Sequence, residues 1–432
     1  MFQNLLKSLV IRKSSSLRKF LPLYSTKLQS FSTSFISNCK VNASINIQNE
    51  TIELTSNVKD SDSIKALKFP FVWLRDNCKC EKCHHPTSSS RIINWEKFDV
   101  TVKPKNIMYD DENNILKIEW NDKSGHISEY EYDWLDERNF SDENRNIYLN
   151  KFYRPAKILL NKIDMQHKLE YFDYHKVIQD DMELYKWLRS LITHGIAIIT
   201  CVPETESEVR VLANRVAFIR RTHYGEEFIV KAKEGTSNVA YLPENLQMHT
   251  DLPYYDYAPG ANLLHCLVQA KSEGAENLLT DGFYIADKMR NEYPKEFEIL
   301  TKVLVNWSDI GQEDNIHFHS LNRAPMICLD YEGNIDRINH SIPQRDSFFT
   351  VPLKDVKLWY KALALFVDLI YNEALEMKTK EGTVLCFDNT RLIHGRKKYL
   401  DTKDNRRHII GAYLDWDELY SRYRVLQNIF EI

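Results

Sequence analysis

Two histidines and one aspartate are the residues of this sequence whose types and spacing best suit a metal centre. His249 and Asp251 are one residue apart, so on an extended segment their side chains project to the same side. His394 follows a strand-and-turn pattern further along the chain, where a third ligand could lie at the mouth of a barrel. Two imidazoles and one carboxylate suit Fe(II) and leave coordination positions open for a cosubstrate and O2. A structural histidine is the alternative for His249, because an isolated H-x-D pair is common by chance.

An arginine after the third candidate ligand could hold an anion near the same metal. Arg407 begins another candidate strand. A guanidinium group can grip a carboxylate through two parallel hydrogen bonds while the keto acid end of the same molecule chelates the metal. The alternative is a solvated charge beside Arg406.

A second candidate metal site lies near the N-terminus, where Cys78, Cys80 and Cys83 fall within six residues. Three thiolates this close cannot all form disulfides without strain, but together they can bind one soft metal. Structural Zn2+ requires four ligands, and His84 and His85 are the nearest histidines in sequence. Because a site with four protein ligands has no open position, we expect a structural zinc rather than a catalytic one. Reduced surface thiols are the alternative.

The first 40 residues differ in composition from the rest of the chain. They contain seven basic residues, many serines and no acidic residue, which is typical of a mitochondrial transit segment. A basic tail that stays on the protein is the alternative. Removing seven positive charges from the formal net charge of −4 leaves −11, and this acidic remainder argues against nucleic acid as a partner. No run of about 18 apolar residues predicts a membrane span.

Hydrophobic periodicity predicts two domains among the 432 residues. Residues 41–140 are expected to form a small β-rich zinc-binding domain, because Leu116, Ile118 and Trp120 alternate with polar residues before a turn and a second strand near His126. Residues 141–162 are expected to connect this domain to a catalytic domain of residues 163–432.

The catalytic domain is predicted to be mainly β with flanking helices, in a double-stranded β-helix, or jelly roll. One helix is predicted around residues 184–192 with Gly195 at its end, a second amphipathic stretch over 204–219, and a third helix around 356–370. Buried strands are predicted at 196–200, 261–268, 383–387 and 408–414.

Several separate motifs resemble the gamma-butyrobetaine and trimethyllysine dioxygenases, a family of Fe(II)- and 2-oxoglutarate-dependent oxygenases. The similarity extends from about Ile52 to the end of the chain. The motifs are His249-Thr250-Asp251-Leu252-Pro253, Leu263-Leu264-His265-Cys266, Asp281-Gly282-Phe283, Phe387-Asp388-Asn389 with Arg391 and His394-Gly395-Arg396, and Gly411-Ala412-Tyr413-Leu414-Asp415-Trp416-Asp417. The resemblance implies a jelly-roll enzyme that uses Fe(II), 2-oxoglutarate and O2, with ascorbate as a plausible reductant.

The resemblance also implies roles for individual residues. Asn238 and Arg407 match the positions that hold 2-oxoglutarate, and Asn339 matches a polar residue that faces the substrate carboxylate. His126 matches the fourth zinc ligand, in competition with His84 and His85. An aromatic cage for a trimethylammonium group is implied at Tyr224, Phe228, Tyr241 and Tyr413, where Phe228 replaces the expected tryptophan.

The expected reaction is hydroxylation of gamma-butyrobetaine to L-carnitine with release of succinate and CO2. Trimethyllysine hydroxylation is the alternative, and a non-catalytic metal-binding or interaction protein is a remote one. The partner is thus expected to be a small quaternary ammonium substrate, and the resemblance suggests a homodimer. The mitochondrial matrix is the expected location, with the cytoplasm as the alternative.

Overall fold

The computed structural model describes residues 41–57, 64–122, 125–231, 239–313 and 316–430. These residues divide into two compact units, one ending at Tyr153 and one beginning at Arg154. The first unit contains strands β1 (Val41–Asn46), β2 (Thr51–Asn57), β3 (Ile64–Pro70), β4 (His84–His85), β5 (Ser90–Arg91), β6 (Pro104–Asp110), β7 (Ile115–Trp120) and β8 (Ile127–Glu131). Its helices are α1 (Phe71–Asp76), α2 (Tyr132–Asp136) and α3 (Asp142–Phe152).

The second unit continues the numbering. Its strands are β9 (Tyr171–Asp173), β10 (Ile196–Thr200), β11 (Glu227–Val230), β12 (Leu246–His249), β13 (Ala261–Val268), β14 (Asn277–Asp281), β15 (Val305–Glu313), β16 (Ile316–Ala324), β17 (Ile327–Leu329), β18 (Ile335–Ile338), β19 (Leu375–Met377), β20 (Thr383–Asp388), β21 (Leu392–Arg396) and β22 (His408–Leu414). Its helices are α4 (Lys162–Lys168), α5 (Tyr174–Gln179), α6 (Asp181–His194), α7 (Glu208–Asn214), α8 (Gly282–Glu292), α9 (Pro294–Lys302), α10 (Leu353–Asn372) and α11 (Trp416–Phe430). In the described part of the chain, no helix is both long and apolar enough to cross a membrane.

The first unit is built from two antiparallel meanders, β1-β2-β3 and β6-β7-β8. The predicted alternation is present in β7, where Leu116, Ile118 and Trp120 are buried in the core of the unit. The buried Trp120 donates its Nε1 hydrogen to Ser128 Oγ on β8 at 2.9 Å, which satisfies its polar atom. The hairpin therefore has the predicted form, and His126 lies directly before β8.

Two facing sheets form the central part of the second unit, which also contains the hairpins β15-β16 and β17-β18. In the described residues the strand orders of the two sheets are β11-β22-β13-β20-β10-β9 and β12-β21-β14-β19. The first four residues of β10, Ile196–Ile199, are all apolar and buried, as expected for a strand with both faces covered. Ala197 and Ile199 pack in the cluster that includes α5, α6 and α7, whereas Ile196 and Ile198 pack in the cluster between the sheets. This is the predicted jelly-roll arrangement with helices outside it.

The helix predictions were right in position but not always in length. Helix α6 buries Leu184, Leu188 and Leu191 and ends at Gly195, whose φ of 76° is the left-handed conformation that glycine adopts most readily. Helix α7 covers only Glu208–Asn214 of the predicted stretch 204–219. The domain boundaries at 140 and 162 stay predictions, and α3 occupies much of the predicted connection.

A fully buried ion pair joins several segments of the second unit. Arg391, directly before β21, donates to both carboxylate oxygens of Asp281 at the end of β14, at 3.0 and 2.7 Å. The guanidinium group also donates to the carbonyl of Thr193 at 3.0 Å and to that of Ile158. Asp281 accepts from the backbone N–H of Phe283 and so caps α8. Both charges are therefore paired and hydrogen-bonded.

Replacing Arg391 by methionine should destabilise the second unit strongly. The change leaves the carboxylate of Asp281 buried without its partner, so we expect the free energy of unfolding to fall by about 3–5 kcal/mol. Chemical denaturation followed by circular dichroism measures this change. The exposed pair of Lys302 with Glu298 gives a control, since Lys302→Met should cost less than about 1 kcal/mol. Equal losses in the two variants would contradict this account of the pair.

Candidate active site and metal centres

Two of the candidate iron ligands are opposite each other on neighbouring strands. His249 on β12 pairs directly with His394 on β21, and their ring centroids are 4.3 Å apart. The side chains of β21 alternate, with Ile393 in the cluster around the helices and Leu392 in the cluster between the sheets, so His394 points between the sheets. The Nδ1 atom of His249 lies 2.8 Å from the carbonyl of Gln247, which orients its Nε2 toward the site.

Asp251 lies beside the two histidines, but its backbone is not part of the extended strand that the sequence predicts. Strand β12 ends at His249, and Leu252 adopts a positive φ of 56°, so the H-x-D segment is not a simple extended strand. The position of Asp251 is fixed by the side chain of Asn389, which accepts from the backbone N–H of Asp251 at 2.7 Å and donates to its carbonyl at 3.0 Å. The side-chain amide of Asn389, from a distant part of the chain, therefore fixes the position of Asp251 that an extended strand was expected to fix.

The two carboxylate oxygens of Asp251 have different surroundings. Oδ1 lies 3.2 Å from His249 Nε2 and 3.6 Å from His394 Nε2. Oδ2 accepts one hydrogen bond from Asn262 Nδ2 at 2.7 Å and one from the Tyr413 hydroxyl at 3.0 Å. One oxygen is thus held by the protein, and the other faces both imidazoles.

The site is electrostatically prepared for a cation. Burial by itself raises the pKa of Asp251, but the neighbouring His394 and His249 and the Tyr413 hydroxyl outweigh it and lower the pKa to about 2. Burial lowers the pKa of His394 to about 4 despite the nearby carboxylate. At neutral pH the aspartate is therefore ionised and His394 is neutral, as metal ligands must be. Burial and the adjacent Asp251 raise the pKa of Tyr413 well above its usual range, so its hydroxyl remains a donor.

This donor set fits an iron ion. One ligand atom from each of His249, Asp251 and His394 lies within 4.8 Å of the others. The Nε2 atoms of both histidines face the same carboxylate oxygen, at 3.2 and 3.6 Å. Two imidazoles and a carboxylate on one side of an ion leave its other side open. The assignment of these three residues as iron ligands remains a prediction that the geometry supports.

The three candidate ligands line a cavity together with aromatic side chains. Its wall includes the four residues proposed for the cage, namely Tyr224, Phe228, Tyr241 and Tyr413. The rings of Phe228 and Tyr413 stack with their centroids 4.9 Å apart and an interplanar angle of 29°. The predicted cage residues therefore do surround one space next to the candidate iron site.

Arg407 lines the same cavity and is only 6% exposed. Within the described residues, its guanidinium group makes no ion pair and its Nε atom has no hydrogen-bond partner. Burial and the neighbouring Arg396 lower its pKa to about 10, so it still carries a positive charge at neutral pH. A buried cation without a partner is costly, and a carboxylate bound in the cavity would offset that cost.

The two predicted asparagines have different outcomes. Asn238 lies outside the described residues. Asn339 is 1% exposed and does not line the cavity, because its Nδ2 donates to the carbonyl of Pro325 at 2.9 Å and lies 3.3 Å from the sulfur of Cys328. Its predicted contact with the substrate carboxylate gains no support from this position.

The cysteine cluster of the first unit forms a second compact donor set. His126 Nε2 lies 3.2 Å from Cys78 Sγ, 3.7 Å from Cys80 Sγ and 3.6 Å from Cys83 Sγ. These four ligand atoms lie within 4.8 Å of one another. Burial lowers the pKa of His126, so the imidazole is neutral and able to bind a metal. The hairpin brings the distant histidine to the cysteines.

The nearer histidines occupy different positions. His84 and His85 form the short strand β4, and His85 Nδ1 accepts from the backbone N–H of Ser88 at 3.2 Å. Neither belongs to the four-residue cluster. Of the three competing histidines, the structure therefore places His126 beside the thiols.

Three residues of the site were missed as functional candidates. Asn262 interrupts the apolar strand β13, and an asparagine in a buried strand could have indicated a functional contact. Asn389 was noted only as part of a motif, although it fixes the backbone of Asp251. Arg396 donates to the carbonyls of Ala240, Leu242 and Glu244, and it thereby anchors a segment of the cavity wall.

Iron(II)- and 2-oxoglutarate-dependent oxygenases combine a jelly roll with an open two-histidine, one-carboxylate centre, and the fold and site place the chain in that class. The model of the "Taurine catabolism dioxygenase TauD, TfdA family" matches residues 160–413. The model "Gamma-butyrobetaine hydroxylase-like, N-terminal" matches residues 45–136.

Curated relatives agree with these matches. The chain is 35% identical over 365 residues to gamma-butyrobetaine dioxygenase of Homo sapiens, which covers 84% of this chain and 92% of that protein. It is 30% identical over 363 residues to mitochondrial trimethyllysine dioxygenase of Mus musculus, with 83% of each chain covered. It is 29% identical to gamma-butyrobetaine dioxygenase of Pseudomonas sp. (strain AK-1), over 83% of this chain and 91% of that protein. The chain therefore belongs to the TauD/TfdA dioxygenase family, in the branch of the gamma-butyrobetaine and trimethyllysine dioxygenases.

Replacing Arg407 by methionine should have opposite effects on cosubstrate binding and on the stability of the ligand-free protein. Loss of a buried charged partner costs about 2–5 kcal/mol, so we expect the Kd for 2-oxoglutarate to rise at least about 30-fold. Without 2-oxoglutarate the variant should melt at a higher temperature than the parent, because it removes a buried charge that has no ion pair among the described residues. Isothermal titration and thermal denaturation measure the two effects.

The neighbouring Arg406 is exposed and provides the matched control. Arg406→Met should leave both the Kd and the melting temperature near those of the parent. Unchanged 2-oxoglutarate binding by Arg407→Met would remove this residue from the cosubstrate site.

Proposed function

We propose that this protein hydroxylates gamma-butyrobetaine to L-carnitine in carnitine biosynthesis, with conversion of 2-oxoglutarate and O2 to succinate and CO2. The observation that carries the proposal is the cavity in which four aromatic side chains stand beside the candidate iron ligands. A trimethylammonium group has no N–H to donate, so aromatic faces are its natural receptor, at about 0.5–2 kcal/mol for a well-placed ring. The 35% identity to the human gamma-butyrobetaine dioxygenase supports the same substrate.

His249, Asp251 and His394 would hold Fe(II), and the bound iron supplies the activation of O2 that an unactivated C–H bond requires. The protein's own residues position the cosubstrate and the substrate next to this site. Arg407 holds the distal carboxylate of 2-oxoglutarate at the wall of the cavity, with Asn238 as a further predicted contact. Because the cosubstrate and the substrate enter the same cavity, their reacting atoms are brought together and kept from competing reactions.

The aromatic cage orients the substrate by its cationic end. Tyr413 and Phe228 present stacked rings at the cavity wall, and Tyr224 and Tyr241 add two further aromatic rings to it. Phe228 is a weaker cation receptor than tryptophan, so the substrate should bind less tightly than it would to a cage that contains tryptophan. Holding the cationic end in the cage determines which carbon of the substrate lies beside the candidate iron site.

Trimethyllysine is the second candidate substrate, because it carries the same cationic group and the mouse trimethyllysine dioxygenase is 30% identical to this chain. That relative is named as mitochondrial, and the basic, acid-free first 40 residues support a mitochondrial matrix location for this protein too. Ascorbate would keep the iron ferrous, and the protein would assemble as a homodimer.

We also propose that Cys78, Cys80, Cys83 and His126 bind one structural Zn2+. Burial raises the pKa of Cys78 to about 11, which disfavours an uncompensated thiolate at this position. A bound Zn2+ would stabilise the thiolates and join the segment after α1 to the hairpin of β7 and β8.

Substrate-stimulated decarboxylation of 2-oxoglutarate tests the proposed reaction. Purified protein with Fe(II) and ascorbate should release CO2 mainly when gamma-butyrobetaine is added, with L-carnitine formed in equal amount. Asp251→Ala should reduce this turnover by at least about 100-fold, because the centre loses its only anionic ligand. Stimulation by trimethyllysine alone would assign the protein to the second candidate reaction, and undiminished turnover by Asp251→Ala would remove the proposed iron site.

Elemental analysis tests the zinc site. The purified protein should contain about one zinc per chain, and His126→Ala should lose most of it and unfold the first unit at a lower temperature. His84→Ala and His85→Ala are matched controls that should retain zinc. Zinc loss in either control, with retention in His126→Ala, would move the fourth ligand to the nearer histidines.

A further inference from the structure

Two neutral donors converge on one oxygen of the candidate iron ligand Asp251. The amide of Asn262 and the hydroxyl of Tyr413 donate to Oδ2 at 2.7 and 3.0 Å, while Oδ1 lies 3.2 Å and 3.6 Å from the Nε2 atoms of His249 and His394. The donors therefore approach the carboxylate from the side opposite to the imidazoles.

The register of the six-stranded sheet places these donors together. Asn262 on β13 and Tyr413 on β22 are direct cross-strand partners, so their side chains leave the same face of the sheet. The adjacent pair, Leu263 and Ala412, packs in the cluster around the outer helices. Asn262 is 1% exposed and Tyr413 is 4% exposed, so water competes little for their hydrogen bonds to the carboxylate.

The arrangement limits how a carboxylate can bind a metal ion. A carboxylate with both oxygens available can occupy two coordination positions of one ion. Because the lone pairs of Oδ2 are engaged by two donors, Asp251 offers Oδ1 alone. A centre that must accept the keto oxygen and the adjacent carboxylate of a 2-oxo acid, together with O2, needs three open positions, and a second oxygen from Asp251 would take one of them.

Tyr413 also forms part of the cavity wall. Its ring stacks on that of Phe228, with centroids 4.9 Å apart. Phe228 on β11 lies directly opposite Gly411 on β22, and a Cβ atom at Gly411 would come within 2.1 Å of the Phe228 ring. The missing side chain at Gly411 therefore lets the Phe228 ring lie across the strand and against Tyr413. A ligand that displaces these two rings would therefore also move Tyr413, whose hydroxyl is hydrogen-bonded to Asp251.

We propose that Asn262 and Tyr413 are positioning residues that hold Asp251 as a single-oxygen ligand, and that Tyr413 transmits occupancy of the aromatic cage to the metal. The first part, the positioning of Asp251, requires only a bound metal ion. The second part, transmission through Tyr413, rests on the proposed function, because it requires a quaternary ammonium compound in the cage.

Co2+ binding in the absence of any substrate tests the first part. Tyr413→Phe keeps the ring and removes the hydroxyl, and Asn262→Ala removes the amide. Each should raise the Kd for Co2+ by about 10- to 100-fold, the range found when a group that orients a metal ligand is lost. The visible spectrum of the bound Co2+ should also change, because Oδ2 becomes available to the ion. Thermal denaturation checks that both variants fold.

A tyrosine outside the site provides the control. The hydroxyl of Tyr185 lies 3.4 Å from that of Tyr423 at the outer helices, and Tyr185→Phe should bind Co2+ as the parent does. A parental Kd and spectrum in both Tyr413→Phe and Asn262→Ala would overturn the positioning role.

The second part is tested on the Co2+ protein with 2-oxoglutarate, by adding gamma-butyrobetaine and, separately, trimethyllysine. In the parent, the compound that binds should alter the Co2+ spectrum. In Tyr413→Phe the same compound should still bind, as measured by isothermal titration, but its spectral change should be lost or much reduced. Gly411→Ala should weaken binding of the compound at least about 10-fold, since the added methyl group displaces the Phe228 ring.

The possible failures are distinguishable. If the parent binds neither compound, the proposed function and the transmission through Tyr413 both fail, while the Co2+ titrations still decide the positioning role. If Tyr413→Phe binds the compound and shows the full spectral change, transmission through Tyr413 is wrong and the proposed function stands.

Discussion

The buried ion pair of Asp281 and Arg391 is the interaction on which the catalytic unit depends. The pair joins the end of β14 to the start of β21, and through Thr193 it reaches the end of α6. His394 lies three residues beyond Arg391 on β21. The position of one candidate iron ligand therefore depends on a charge pair with no exposure to water, whose polar atoms are hydrogen-bonded.

Strand pairing in the two facing sheets brings the residues of the site together. His249 and His394 are opposite each other in one sheet, and Asn262 and Tyr413 are opposite each other in the sheet that faces it. Asp251 lies between the two pairs and contacts all four residues. The candidate metal ligands thus come from one sheet and its loop, and the side chains of Asn262 and Tyr413 that hold the carboxylate come from the other sheet.

Much of this organisation could be predicted from the sequence, because apolar periodicity and metal-binding residue types are local signals. Helix α6 with its end at Gly195, the strands β10 and β13, the candidate iron ligands and the three clustered cysteines followed from such signals. The positive φ at Leu252 and the support of Asp251 by Asn389 depend on contacts between distant segments, which periodicity does not encode. The resemblance to known dioxygenases supplied His126 and the cage, which the residues alone did not identify.

The direct pairing of Asn262 with Tyr413 also constrains how this protein can evolve. Side chains of a strand alternate between its two faces, so a one-residue insertion or deletion within β13 would exchange Asn262 for a neighbour that now packs against the outer helices. The same change would point the polar side chain of Asn262 toward the apolar core under the outer helices. Length variation in descendants of this chain should therefore accumulate in the loops, while the central strands change by substitution only.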